Sequence, residues 1–295
     1  MKFTSLRVPL LVITAALAIV SCGPSAKQED KSEDFKQAQE SLKDQIQEVV
    51  YNIPSPSEIP YLLQATGADF NQSLVNDRKK VDQYATRNDK AALNLGIYAA
   101  DIGYLSSYDK TQDAIAYLGA AKGLADNLGV IGSFDPEVLG RFEANISNKD
   151  SLAALLNESV QKTDKYLKDD SRNKLAALMV TGSFIEGLSI STGLIKTYPK
   201  NLLPNDQRNL ILTPLIRVIL EQERSVDELI RMLGAVDQAE PVGSIVTDLT
   251  ALQASYRGLN IDEQIKNNKA NLVLTDKNLI EITAIVDKLR SSIIQ

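Results

Sequence analysis

Leu279, Ile282, Val286, Leu289 and Ile293 recur at steps of three and four residues. That period lays them along one side of an α-helix and along neither face of a strand, whose side chains alternate every second residue. The same rule selects Phe35, Ala38, Leu42, Ile46 and Val49, then Leu152, Leu156, Val160, Thr163 and Leu167, then Val242, Val246, Leu249, Leu252 and Tyr256. Each stripe has to be buried against another helix, and strand-like alternation is nearly absent. The chain is therefore expected to be all-α, a multi-helix bundle of about ten antiparallel helices with short connections. The spacing predicts helices over 34–51, 57–66, 73–86, 89–107, 110–128, 136–146, 150–168, 171–197, 205–234, 243–258 and 262–294, with a break inside 205–234 and another inside 262–294.

Turn chemistry supports these boundaries. Asp135 before Pro136 offers a cap oxygen and a first-turn proline. Ser225 with Glu228, and Asn260 with Glu263, have capping-box spacing. Gly67, Gly129, Gly234 and Gly258 stand where helices are expected to end in a left-handed residue. Pro214 lies inside an apolar run, so a helix should stop or kink there. Pro54, Pro56 and Pro60 mark an extended entry to the helical region.

Two predicted helices are apolar on almost every side and should be central. Residues 89–107 carry a strip of small residues, Ala92, Gly96, Ala99 and Gly103, suited to close approach of another backbone. Another side presents Asn94, Tyr98, Asp101, Leu105 and Tyr108, with Tyr104 nearby. Residues 175–195 hold one charge, Glu186, in a row with Gly182, Ser189 and Gly193; residues 210–220 hold one, Arg217. An ionised carboxylate in an apolar interior needs a partner or a proton. Asn94, Tyr98, Asp101, Tyr104, Tyr108, Glu186 and Arg217 are thus the candidate site, as a satisfied buried polar network or as the lining of a ligand pocket. Ala91-Ala92-Leu93 followed by Asp101 recurs as Ala176-Ala177-Leu178 followed by Glu186, an echo that chance explains. Most tyrosines are expected to be half-buried with a wet hydroxyl. Arg78-Lys79-Lys80 reads as a solvated face.

The beginning of the chain sets the compartment. Lys2 and Arg7 precede an apolar stretch over 8–20, shorter than the roughly 20 residues a spanning helix needs but suited to a signal peptide. Ile19-Val20-Ser21-Cys22 resembles the bacterial lipobox, with Val20 bulkier than usual at its position. The expectation is a lipoprotein signal peptide over 1–21, lipidation of Cys22, a flexible polar tether over 22–34 and a helical domain over 35–295. Acyl chains, each buried CH₂ contributing about 0.8 kcal/mol, would then hold an acidic body that a charged membrane surface does not attract. Gly23, in place of Asp, removes the usual inner-membrane retention signal. An outer-membrane lipoprotein of a bacterial envelope is expected, on the periplasmic face or the cell surface.

At residues 53–58 (IPSPSE), 73–77 (SLVND), 90–104 (KAALNLGIYAADIGY) and 184–187 (FIEG), the chain resembles a family of uncharacterised Bacteroidetes-type lipoproteins. That resemblance implies a helical secreted lipoprotein and brings no activity, cofactor or catalytic residue with it.

Composition removes whole classes of chemistry. There is no His and a single Cys, so no Ser-His-Asp triad, imidazole metal ligand, zinc ribbon or internal disulfide can form. With 38 acidic residues against 32 basic ones and a pI near 5.0, nucleic acid is not an expected partner. Phosphate loops, dinucleotide fingerprints and calcium loops are absent. No catalytic residue, metal or cofactor is assigned. The expected function is that of a lipid-anchored envelope protein binding a partner protein or small ligand. An envelope hydrolase using Asp101 and Glu186 as a carboxylate pair is the alternative.

Overall fold

The computed structural model describes residues 69–130, 170–198, 219–258 and 277–295, with single positions 140, 141, 144, 145, 212 and 216. Seven α-helices and no strand occur among the described residues. They are α1 (Val81–Tyr84), α2 (Asn88–Ser107), α3 (Thr111–Asn127), α4 (Asp170–Thr197), α5 (Glu223–Gly234), α6 (Val242–Arg257) and α7 (Lys277–Ile294). The all-α expectation is met. The ranges expected for α2, α3, α4 and α6 agree to within one residue at each end.

Among the described residues one expected helix does not form over its expected length. In place of a helix over 73–86 the chain makes a 3₁₀ turn at Gln72–Leu74, an extended stretch, a second 3₁₀ turn at Arg78–Lys80 and only then α1. Local side chains divert it. Asn71 Oδ1 accepts from Ser73 N at 3.0 Å and from Ser73 Oγ at 2.7 Å, and Asp77 Oδ1 accepts from Lys79 N at 3.0 Å. Such bonds satisfy backbone donors outside a helix. Residues 71–77 therefore form an irregular strap. Arg78 and Lys79 are exposed, whereas Lys80 donates to the Ile294 carbonyl at 2.8 Å.

α4 packs against α2, α5 and α7; α3 packs on α2, and α6 lies against both α5 and α7. The tightest seam is between α2 and α4. A Cβ added at Gly96 would run into the Met179 carbonyl, and one at Gly182 into the Leu93 carbonyl. Glycine on both helices lets the two backbones touch. The small-residue strip expected on α2 is only partly used this way, since Ala99 is half-buried. Asn173–Thr197 is long and apolar enough to cross a membrane by length and composition, yet 67% of its apolar window is buried inside the protein. Here that composition serves a core helix wrapped by three others.

The apolar stripes fall where spacing put them. Leu279, Ile282, Val286, Leu289 and Ile293 are all buried on α7, as are Val242, Leu249, Leu252 and Tyr256 on α6, with Val246 half-buried. Some end signals differ. Gly129 ends α3 at φ 69° as expected, but Gly234 is the last residue inside α5, and Gly258 follows α6 at φ −74°. α5 begins at Glu223, two residues before Ser225. Ser225 is buried inside the first turn, and Glu228 pairs instead with Arg231, Nη2 to Oε1 2.6 Å. The stripes at 35–49 and 152–167, Gly67, the Asp135 and Asn260 caps and the Thr213-Pro214 break lie outside the described residues.

Candidate functional site

The two central helices bring their isolated acids together. Asp101 on α2 and Glu186 on α4 are both fully buried. Glu186 is held by Arg290 of α7 in a two-pronged ion pair, Nε to Oε2 at 2.6 Å and Nη2 to Oε1 at 2.7 Å. The Arg290 side chain is 16% exposed and also donates to the Leu74 carbonyl at 3.2 Å. Parallel N–H···O bonds of this kind are among the strongest polar contacts a protein makes. Among the described residues Asp101 has no such cation to itself. Burial, the negative charge of Glu186 and a hydrogen bond with that carboxyl hold Asp101 well above the usual carboxylate range. The Arg290 charge and the Asn76 amide pull only partly the other way.

Around this pair the strap is clamped by side chains from each neighbouring helix. Asn76 is 2% exposed and uses all of its polar groups. Its N–H donates to Asp101 Oδ2 at 3.2 Å and its Nδ2 to Asn94 Oδ1 at 3.2 Å. Its Oδ1 accepts from the Tyr84 hydroxyl at 3.1 Å, and its carbonyl from the Tyr117 hydroxyl at 2.5 Å. The Tyr98 hydroxyl donates to the Asp77 carbonyl at 3.2 Å, and the Tyr104 hydroxyl accepts from Asn71 N at 3.0 Å. Leu74 rests over Gly193 of α4, where a Cβ would sit 2.5 Å from its Cδ2. Asn94 reaches further, donating to the Lys90 carbonyl at 3.0 Å and the Ile293 carbonyl at 3.3 Å. With Lys80 on Ile294 and Lys90 on Gln295, it satisfies the carbonyls that the end of α7 leaves free; the Tyr84 hydroxyl, 3.1 Å from the Ile294 carbonyl as well, shares its one hydrogen between that oxygen and Asn76.

Of the residues singled out by sequence, Asn94, Tyr98, Asp101, Tyr104 and Glu186 thus enter one polar network, joined through the strap. Tyr108 stands at its edge. Its ring packs at 5.1 Å from Tyr104 and 5.7 Å from Phe70, and its buried hydroxyl finds no partner among the described residues. Lys110 lies 5.2 Å over the Phe70 ring. The tyrosines here are not half-wet as expected. Tyr84, Tyr98, Tyr104 and Tyr117 are buried, and burial pushes each phenol up, so all four stay neutral. Arg217 and Cys22 lie outside the described residues.

Arg290, Tyr84, Asn76 and Tyr117 escaped sequence reasoning. Arg290 follows Val286 by four residues and precedes Ile293 by three, so it sits on the apolar stripe itself; that position was the available signal. Tyr84 and Asn76 fell within a segment expected to be helical, where neither had a reason to be central. Chemically the cluster neutralises charge and ties backbone. Asp101 and Glu186 lie within hydrogen-bonding reach of each other in a sealed interior. Glycosidase carboxylates instead stand about 5 Å or more apart, across a substrate. Among the described residues no three acidic or sulfur side chains converge as metal ligands would. No protein-family model matches the chain, and no curated protein or solved structure matches it either.

Proposed function

We propose that the protein is a lipid-anchored, non-enzymatic helical protein of a bacterial envelope, a bundle of about ten helices that meets a partner protein or small ligand. The observation that carries this reading is the lone cysteine. Cys22 ends the one stretch that joins basic residues, an apolar run and a small residue in lipobox order. The interior supports the non-enzymatic half. Asp101, Glu186 and Arg290 answer one another and hold the strap, so their chemistry is spent inside the fold. The hydrolase alternative draws no support from two acids in mutual contact and shut off from solvent.

Labelled palmitate tests the reading. Expressed whole in a bacterial host, the chain should take up label and partition with membranes, and Cys22→Ser should lose both. A wild-type chain that stays unlabelled, or a variant that still takes up label, would defeat it.

A further inference from the structure

The junction of α2, α4 and α7 encloses two carboxyl groups and one guanidinium, and its charges balance only if a proton is counted. Both Glu186 oxygens accept from Arg290. Asp101 Oδ2 accepts from the Asn76 amide, while Oδ1 is buried and receives no N–H or O–H from any other group among the described residues. The side chain within hydrogen-bonding reach of Asp101 is the Glu186 carboxyl, itself an acceptor. Two facing carboxylates repel, and a single proton between them turns the repulsion into a hydrogen bond.

Among the described residues the surroundings supply no second positive charge. The strap contributes Asn76 and the exposed Asp77; α1 contributes Tyr84, α2 Tyr98, α3 Tyr117, α4 Glu186 and α7 Arg290. Arg78 is exposed and bears on Tyr117, not on the acids. Among the described residues Arg290 is the one cation facing both.

We propose that Asp101 is a protonated acid in the folded protein, donating from Oδ1 to Glu186, and that this proton latches residues 71–77 onto the bundle. Losing it sets two negative charges against one guanidinium. Water has to reach them, and the way in lies under the strap. α2 and α4 are in backbone contact at Gly96 and Gly182, whereas the strap is held by polar bonds, two of which come from Asp101 and Arg290 themselves.

The sign follows from linkage. The folded state keeps a proton that an unfolded aspartate, with pKa about 3.9, has already released. The hold on the strap is complete below that value and is lost as pH rises through the raised value of the folded form.

Infrared spectroscopy and hydrogen exchange on the whole chain test this. Near neutral pH the folded wild type should show the carbonyl stretch of a protonated carboxylic acid, and Asp101→Asn should lack it. Corrected for intrinsic exchange, the opening constant at the Asn76 amide should rise by up to about tenfold per pH unit within that window. In Asp101→Asn, whose amide copies the protonated acid in shape and charge, it should stay flat. A folded wild type without the acid band, an Asp101→Asn profile matching the wild type, or an Asp101→Asn chain that does not fold would each overturn the proposal.

Discussion

The α5–α6 seam and the α2–α4–strap junction solve the same packing problem with opposite materials. Between α5 and α6, Val226, Leu229, Met232 and Leu233 are buried with Val242, Ile245, Leu249 and Leu252. One polar contact between them is Gln253 Nε2 donating to Asp227 Oδ1 at 2.5 Å. One buried phenol, Tyr256, ties back to the Ile219 carbonyl at 2.8 Å. At the other junction two helices touch through glycine, and a third element without α-helical hydrogen bonds is held by an ion pair, an acid, two amides and four phenols. An apolar seam tolerates any side chain of similar volume. A polar junction accepts one arrangement, because each unmade bond leaves a buried group unpaired.

The contrast should be most visible in Arg290→Ala. This variant strands Glu186, fully buried, beside Asp101, and is expected to cost about 3–5 kcal/mol in chemical denaturation. Leu249→Met, which conserves volume in the α5–α6 seam, should cost less than about 1.5 kcal/mol. Equal losses would erase the distinction. Glu186→Leu combined with Arg290→Met removes both charges together and should cost well under Arg290→Ala alone. If the double variant is no better, the ion pair stabilises the fold outright.

Gly96→Ala comes next. The new Cβ meets the Met179 carbonyl and the Ser183 amide nitrogen, backbone atoms that cannot swing aside as a side chain does. The helices must separate, at a cost of about 2–3 kcal/mol. Gly234→Ala at the end of α5, where a Cβ would meet nothing within 4 Å, should leave stability unchanged or slightly raised. A Gly96→Ala variant as stable as the wild type would show that the α2–α4 contact can relax.

A smaller effect separates network from seam by coupling. Tyr117→Phe and Tyr84→Phe each take one donor from Asn76. Each should cost about 1–2 kcal/mol, and the pair should deviate from additivity by at least about 0.5 kcal/mol, because both act through one residue. Tyr117→Phe with Tyr256→Phe, which share no partner, should add. Additivity in both pairs would mean that Asn76 is no hub.

The two regions also differ in how far sequence revealed them. The range of α6 and the buried stripes of α6 and α7 could be read almost to the residue, because an apolar stripe is a repeated signal and every member reports the same face. The acids of the junction were legible too: Asp101 and Glu186 stood out as lone charges in apolar helices. Even the shared spacing behind Ala91-Ala92-Leu93 and Ala176-Ala177-Leu178, an echo that chance explains, ends on the two carboxyls that meet. Their cation and their hub were not legible. Arg290 comes from far along the chain, and one charge on a stripe looks like a solvated edge. Asn76 matters because an Asx turn at Asn71 and another at Asp77 break the helix expected there. Short-range competition of that kind leaves no period to detect.

The smallest prediction concerns two helix ends that the backbone treats alike and the sequence does not. α2 and α3 stop with the same pair of hydrogen bonds: Lys110 N to Leu105 O at 2.9 Å with Asp109 N to Ser106 O at 3.2 Å, and Val130 N to Ala125 O with Gly129 N to Asp126 O, both at 3.1 Å. That motif places one residue in the left-handed region. In α3 it is Gly129 at φ 69°; in α2 it is Asp109 at φ 56°. Asp109 has a Cβ to accommodate there. Asp109→Gly removes that strain and adds chain entropy to the unfolded state, which offsets part of the gain. Net stabilisation of about 0.5–1 kcal/mol is expected, a rise of about 1–3 °C in Tm. Gly129→Asp should lose a similar amount, and the two variants together should nearly cancel. If Asp109→Gly lowers Tm, the aspartate side chain makes a favourable contact that outweighs its strain, and the two helix ends are not equivalent after all.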